Sequence, residues 1–351
     1  MEIDQNKLHE FMGKMVGELG AAMNAALILI GEKLGLYKAM AGVGPMSPEE
    51  LAKKTGTDER YVREWLSAQA AGGIITYDAA SKKFTLPNEQ AMALAVEESP
   101  VYMPGAFHIV SAVIKDEPKL TEAFRTGDGV GWDEHDASLF LGTEKFFRPN
   151  YAANLVSAWI PALDGVEAKL KAGARVADVG CGHGASTILM AQAYPNSRFV
   201  GFDYHGPSIG FARRAAAKAG VKNASFEVAS AQDFHGDPYD FVTFFDCLHD
   251  MGDPVGAARH VREKMKPGGS WMIVEPFAHD ALENNLNPVG RVFYAASTVI
   301  CTPASRAQEV GLCLGAQAGE GRMRKVVTDA GFTAFRRACE TPFNLIYEAR
   351  A

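Results

Sequence analysis

Two carboxylates and three glycines, placed where apolar runs end, are the residues of this chain best suited to hold a nucleoside ligand. Arg175-Val-Ala-Asp-Val-Gly-Cys-Gly-His-Gly-Ala185 joins short apolar residues to Gly180, Gly182 and Gly184, and a helical pattern through Ile188, Leu189 and Gln192 follows. Strand, glycine turn and helix in that order bring bare backbone against a ligand at the carboxyl end of a doubly buried first strand. Asp178 lies inside that strand, where a carboxylate without a donor is costly to bury; an ammonium group on a ligand would satisfy it. Asp203 ends the next predicted strand, Arg198–Phe202, where an acid accepts hydrogen bonds from ribose hydroxyls. Gly180, Gly182 and Ala185 also fit the spacing of dinucleotide enzymes, so the glycines alone leave a nicotinamide-dependent oxidoreductase open.

Two more strand ends follow. Ser225–Ala229 leads into Ser230-Ala-Gln-Asp-Phe234, and Asp240–Phe245 leads into Asp246-Cys-Leu-His-Asp250; Lys266-Pro-Gly-Gly269 then precedes a strand over Ser270–Val274. With these stretches in place, residues 171–351 resemble a class I S-adenosylmethionine-dependent methyltransferase. The resemblance implies an α/β fold with a Rossmann-like seven-stranded sheet and S-adenosyl-L-methionine as cofactor. It assigns Asp178, Gly180 and Gly182 to the methionine end, Asp203 to ribose, and Gln232, Asp233 and Phe234 to the adenine region. Cys181 and Asp246 stand beside the same pocket.

Methyl transfer is an in-line displacement at a sulfonium carbon, so the protein aligns the acceptor and removes a proton where one must leave. Leu248-His-Asp-Met-Gly-Asp253 resembles the L-H-D-W-x-D stretch of plant-type O-methyltransferases, with Met251 in place of tryptophan. The resemblance makes His249 the general base and Glu275, in Ile273-Val-Glu-Pro276, an acid that supports it. A second supporting acid is expected where Gln317 stands, with Glu320 the nearest carboxylate. That departure leaves open S- or N-methylation by proximity, without a base.

The elements before residue 171 read as equipment added to the sheet. Leu8, Phe11, Met12, Met15, Leu19, Leu27, Ile30 and Leu34 recur at helical spacing among many Gly and Ala residues, which suits close helix packing. Ser47-Pro-Glu-Glu-Leu-Ala-Lys-Lys-Thr-Gly56 carries a capping box and a terminal glycine; a second helix capped by Thr57 runs to Gly72, and a hairpin follows over 74–86. Helix, turn, helix and wing make a winged-helix module over residues 1–98. That stretch holds ten Lys or Arg against fourteen Asp or Glu, and the would-be groove helix opens Asp58-Glu-Arg-Tyr61, which argues against nucleic acid. Homodimerisation is the expected role, as in many small-molecule O-methyltransferases. A winged-helix transcription factor that senses S-adenosylmethionine is the rival from another class.

Residues 99–170 form an aromatic helical connector interrupted by Gly127-Asp-Gly-Val-Gly-Trp132, a loop able to close over an acceptor. Trp132, Arg148 and Tyr151 there, with Asn287 and Arg291 from an inserted cap over 276–311, are the expected acceptor contacts. The chain has 351 residues and a formal charge of −7, which disfavours a general polyanion binder. Five cysteines, an odd number without a C-x-x-C pair, read as reduced thiols. The opening residues lack a signal-peptide pattern and the longest apolar run, Ala25–Ile30, is short, so a cytoplasmic protein without a membrane partner is expected. No histidine shows metal-ligand spacing with cysteine or carboxylate, and no metal is expected.

Overall fold

A computed structural model describes residues 2–351. The chain divides into two compact units, one running to Ala112 and including 141–149, the other comprising 113–140 and 150–351.

In the first unit the cap residues set the helix starts. Asp4 accepts from the N–H groups of Asn6 and Lys7 and opens α1 (Gln5–Lys33), which α2 (Leu36–Met40) follows. Ser47 and Glu50 form the expected capping box on α3 (Pro48–Thr55), and Gly56, at φ 67°, ends it. The next helix, α4 (Glu59–Ala71), is capped by Asp58 and not by Thr57, whose hydroxyl is engaged with Thr55 at 2.8 Å. β1 (Thr76–Asp78) and β2 (Lys83–Thr85) pair antiparallel as the wing, and α5 (Asn88–Leu94) closes the module. Leu36, Tyr37, Met40, Leu51, Trp65 and Leu66 form its core.

The carboxyl-terminal third of α1 is buried at Ala25, Ile28 and Leu29, but Leu8, Phe11, Met12, Met15, Val16, Leu19 and Met23 are exposed, Met23 by 69%. By length and composition alone α1 would suffice to cross a membrane. The short apolar run at 25–30 understated this, because hydropathy spread along a helix does not need to be contiguous.

Two long helices succeed the module, α6 (Pro104–Thr126) and α7 (Ser138–Asn154), realising the aromatic connector. The second unit then alternates strand and helix: α8 (Val166–Ala172), β3 (Arg175–Val179), α9 (Ala185–Ala193), β4 (Arg198–Asp203), α10 (Gly206–Lys218), β5 (Ala224–Val228), β6 (Tyr239–Phe245) and α11 (Pro254–Lys264). After β7 (Met265–Pro276) come the cap helices α12 (Pro288–Ala296) and α13 (Thr302–Arg306), then α14 (Gly319–Asp329), β8 (Ala334–Glu340) and β9 (Asn344–Arg350). The strand order is β5-β4-β3-β6-β7-β9-β8, parallel except for β9 against its two neighbours. The predicted Lys266–Gly269 turn interrupts the ladder inside β7: Met265 pairs with Tyr239, and pairing resumes at Ser270 with Phe241. Val242, Phe244, Trp271, Ile273 and Tyr347 are buried in the sheet core.

From β3 the chain lays β4 and β5 outward on one side and then crosses to β6 on the other. That reversal opens a crevice at the carboxyl ends of β3 and β6, the place where open α/β sheets take ligands.

In the first unit Glu32 is half-buried, 3.2 Å from His108 Nε2 and paired with Lys145. The His108 hydrogen bond, against the opposing cost of burial and with help from Lys145, lowers its pKa to about 2. A lowered folded-state pKa gives stability that is present above the unfolded value and lost as pH falls through the folded one. Between pH 4.5 and 2 this contribution, on the order of 3 kcal/mol, disappears. Denaturant titrations at stepped pH will show a smaller acid loss for Glu32→Gln than for the unaltered chain.

Candidate active site

Asp178 is 1% exposed, and the structure supplies its donors from within: Ser186 Oγ at 2.7 Å and Thr187 Oγ1 at 2.5 Å from α9, and Thr243 Oγ1 at 2.9 Å from β6. The ligand ammonium expected from the sequence is therefore not needed for this carboxylate. Burial raises its pKa to about 6 and the three hydroxyls pull it back. The sequence missed those partners because a hydroxyl at the start of a helix is ordinary until the fold places it under a strand.

Between β3 and α9, Gly180 holds φ 73° and a Cβ there would lie 2.7 Å from Cys247 Sγ, so only glycine lets the turn pass this thiol. The N–H groups of Gly180 and Cys181 donate to Phe202 O, and Gly182 N–H donates to Asp203 Oδ2 at 2.9 Å. The Cys181 side chain packs into a core with Ile209, Ala212 and Phe226, so only its backbone belongs to the turn. His205 N–H donates to Asp203 Oδ1 at 2.9 Å, leaving this half-buried acid fixed at the mouth of the crevice. The His205 ring stacks on Phe140 at 4.5 Å and 8°, and Phe140 meets Trp132 edge-on at 5.6 Å. Through these rings the glycine-rich loop lies against the Asp203 turn.

The expected adenine residues separate. Phe234 is fully buried in the core, where it packs with Phe202, Tyr239 and His260 and has no face left for a ligand. An aromatic residue with polar neighbours on both sides reads as a surface ring; here the turn tucks it inward. Asp233 is exposed, and its carboxylate accepts from Ser230 N–H and Oγ. Gln232 is exposed beside it.

After β6, Asp246 adopts φ 49°, uncommon outside glycine, and three hydrogen bonds hold it there. Its N–H donates to Val274 O, and its carboxylate accepts from Tyr151 Oη at 2.6 Å and Asn344 Nδ2 at 2.9 Å. Burial raises its pKa to about 7. Tyr151 is thus brought to the sheet edge, but its hydroxyl is turned onto Asp246.

His249 is buried, with Nδ1 2.5 Å from Glu275 Oε2 at the end of β7 and Nε2 3.1 Å from Asp250 Oδ1. Glu275 Oε1 also accepts from Leu248 N–H at 3.2 Å. Burial disfavours the imidazolium, yet Asp250 and Glu275 together hold its pKa well above the ordinary imidazole value. The second carboxylate at this ring is Asp250. Gln317, at the position where the family pattern has an acid, donates to Phe277 O and Ala316 O, and Glu320 pairs with Arg324 and Arg337.

The cap is stitched to the His249 segment. Gln308 accepts from Gly252 N–H at 3.0 Å and donates to Asp250 O at 3.1 Å, and Ser305 Oγ donates to Met251 O at 2.9 Å. A π turn over Ser297–Cys301 links α12 to α13 and delivers Cys301 to the His249 side chain. Asn287 is exposed and acts as the cap of α12, accepting from Gly290 N–H at 2.9 Å. Arg291 is exposed on α12, and Arg148, in the first unit, lies 3.2 Å from Glu144. A surface groove of about 500 Å³ lined by Gln192, Asn196, Arg198, Lys222 and Asn223 opens at the opposite, amino-terminal ends of β4 and β5.

Residues 170–320 match a family described as "Methyltransferase domain", and residues 22–96 match the Rv2258c-like winged HTH domain. The chain carries a methyltransferase domain. A curated relative, the ubiquinone biosynthesis O-methyltransferase of Aromatoleum aromaticum, is 31% identical over 137 residues, 38% of this chain and 55% of that protein. The chain thus spans about half the length of the curated relatives it matches. Across nearly the whole chain the fold resembles that of a putative O-methyltransferase from Nostoc punctiforme, with TM-score 0.74 and 20% identity over 97% of this chain and 98% of the other. Human N-acetylserotonin methyltransferase, solved in complex with SAM, gives 0.70 and 14% over 99% and 98%. These likenesses establish the architecture: a methyltransferase sheet preceded in the chain by a winged helix.

In this methyltransferase domain Asp178 ties β3, α9 and β6 together, whereas Asp203 orders one turn. Asp178→Ala strands three buried hydroxyls and will cost roughly 2–4 kcal/mol of unfolding free energy in urea, well above the loss for Asp203→Ala. Equal losses would remove the structural role argued for Asp178.

Proposed function

We propose that this chain is a cytoplasmic enzyme that transfers a methyl group from S-adenosyl-L-methionine to an oxygen of a small molecule. One observation carries the reading. The glycine turn with Asp203 and the His249–Glu275 pair stand at the carboxyl ends of neighbouring strands of a methyltransferase sheet. The site suits the cofactor: His183 Nδ1, in the glycine turn, is buried without a hydrogen-bond partner, Gly182 faces open space, and the surrounding carboxylates match a sulfonium charge. The relatives support oxygen as the acceptor atom, being named O-methyltransferases, and the human neighbour is complexed with SAM. Five unpaired thiols suit a reducing compartment.

When bound, the cofactor supplies an electrophilic methyl group. Gly180, Gly182 and Asp203 would hold it against β3 and β4, with Gln232 at the rim of the adenine side. The Trp132 loop, resting on His205 through Phe140, would shield the site from water, with the Tyr151–Asp246 pair at its floor. Glu275 fixes the imidazole by accepting from Nδ1–H, so Nε2 is the nitrogen that takes the acceptor's proton.

His249→Ala is expected to leave cofactor affinity unchanged in calorimetry and to lower turnover by about 10²–10⁴. Asp203→Ala, in contrast, will weaken cofactor binding itself. Because the base must first lose its own proton, turnover will rise with pH along a limb displaced above the ordinary imidazole range, and Glu275→Gln will move that limb downward. A rate indifferent to pH would favour the second reading, S- or N-methylation by proximity. That reading draws on the clamp of two carboxylates, which favours the protonated ring.

The amino-terminal module is read as a homodimerisation element. On α1 the exposed apolar residues accompany Gly13, Gly17 and Gly20, each with open space beside it. Glycine inside a helix costs about 1 kcal/mol against alanine, so a row of them makes sense where a second helix must come close. On α4, the helix that would enter a DNA groove, Arg60 pairs with Glu64 and Arg63 with Glu59, which neutralises the charges a phosphate would need. The transcription-factor reading is the weaker for it. Sedimentation should report a dimer, and Val16→Glu with Leu19→Glu should yield monomers; dimers that survive both changes would place the interface elsewhere.

A further inference from the structure

Among the described residues, His249 Nε2, Asp250 and Cys301 Sγ come within 4.8 Å of one another. The fold assembles this group from two elements: the turn after β6 contributes the histidine and the aspartate, and the π turn before α13 contributes the thiol. Nothing in the sequence hints at it, because Cys301 is far along the chain from its partners.

The geometry has three features that suit a cation at this spot. Glu275 Oε2 lies 2.5 Å from Nδ1, and a carboxylate there fixes the proton on Nδ1 and aims the Nε2 lone pair outward. This carboxylate–histidine pair is the outer support found behind metal-bound imidazoles. Facing Nε2 at 3.1 Å is Asp250 Oδ1, a buried oxygen whose neighbours are the imidazole and the Cys301 thiol. With the neutral ring, two acceptors confront each other across that gap, and only a positive charge between or upon them resolves the contact. Finally, 3.1 Å is a little under the edge of a tetrahedron built on bonds of 2.0–2.2 Å, about 3.3–3.6 Å, and the thiol lies within 4.8 Å of both atoms.

We propose that His249 Nε2, Asp250 Oδ1 and Cys301 Sγ form a binding site for a single zinc-type divalent ion, with a fourth position open. Nitrogen, oxygen and sulfur together suit a borderline-soft ion and poorly suit magnesium or calcium, which prefer oxygen alone. Binding replaces the thiol proton of Cys301 and the Nε2 proton of the imidazolium, so two protons are released to solvent for each ion taken up. The ion takes the Nε2 lone pair that proton removal from an acceptor requires. Zinc and turnover therefore exclude one another; this consequence rests on His249 as base, whereas the site does not.

Cobalt(II) added to the full-length chain without cofactor or acceptor reads the site independently of activity. The expected result is a thiolate-to-cobalt absorption in the near ultraviolet that saturates at one equivalent, is displaced by zinc, is absent in Cys301→Ser and persists in Cys339→Ser. Glu275→Gln, which keeps all three ligands, should weaken cobalt binding by about 10–100-fold. Should Cys301→Ser fail to fold, Asp250→Asn gives the same reading through a weaker, blue-shifted or missing band. A band unchanged in Cys301→Ser and Asp250→Asn, or no band at millimolar cobalt, would overturn the proposal and leave His249 as an imidazolium held by two carboxylates.

Discussion

The burial of one carboxylate governs the second unit. Asp178 sits inside a parallel strand with almost no exposure, and ionised groups survive there only when donors converge on them. Three hydroxyls do so, two from the helix after the glycine turn and one from the adjoining strand. Because these donors come from α9 and β6, satisfying Asp178 requires that β3, its turn and its neighbours be in register together. The turn that presents Gly182 and Asp203 to the crevice is thereby set by a polar contact beneath it.

A second polar arrangement, at the other side of the switch point, is built on opposite logic. His249 is enclosed by Glu275 and Asp250, and the cap helices are laced to its backbone through Gln308 and Ser305. Where Asp178 is quieted by neutral donors, His249 is kept charged by neighbours of opposite sign. One edge of the sheet is thus rigid and neutralised, and the other carries a titratable group whose state depends on two carboxylates.

Much of this was legible in the sequence, and the reasons differ by residue. Strand patterns and glycine turns are local, so the β3–α9 unit, Asp203 at the end of its strand and the capping box at Ser47 emerge from spacing alone. The pairing of His249 with Glu275 was reachable only through the family resemblance, which named both residues for one role. Burial direction was not: Phe234 turns into the core, Asn287 spends its amide on a helix end, and Cys181 faces away from the turn it belongs to. Nor could periodicity place Asp250 and Cys301 together, since a contact between distant segments leaves no trace in the spacing of either.

The π turn at Ser297–Cys301 gives this site an unusual vulnerability. A π turn is an α-helix with one residue too many, and it persists because the surplus is accommodated without breaking the helix. Losing a single residue within it would restore ordinary helical winding and remove the widened turn that carries Cys301 to the imidazole. Deletion of one codon would therefore change the composition of the His249 wall while leaving every other side chain in the chain the same. In lineages of this fold, the length of that one segment, more than the identity of its residues, would decide which atoms share the cavity with the imidazole.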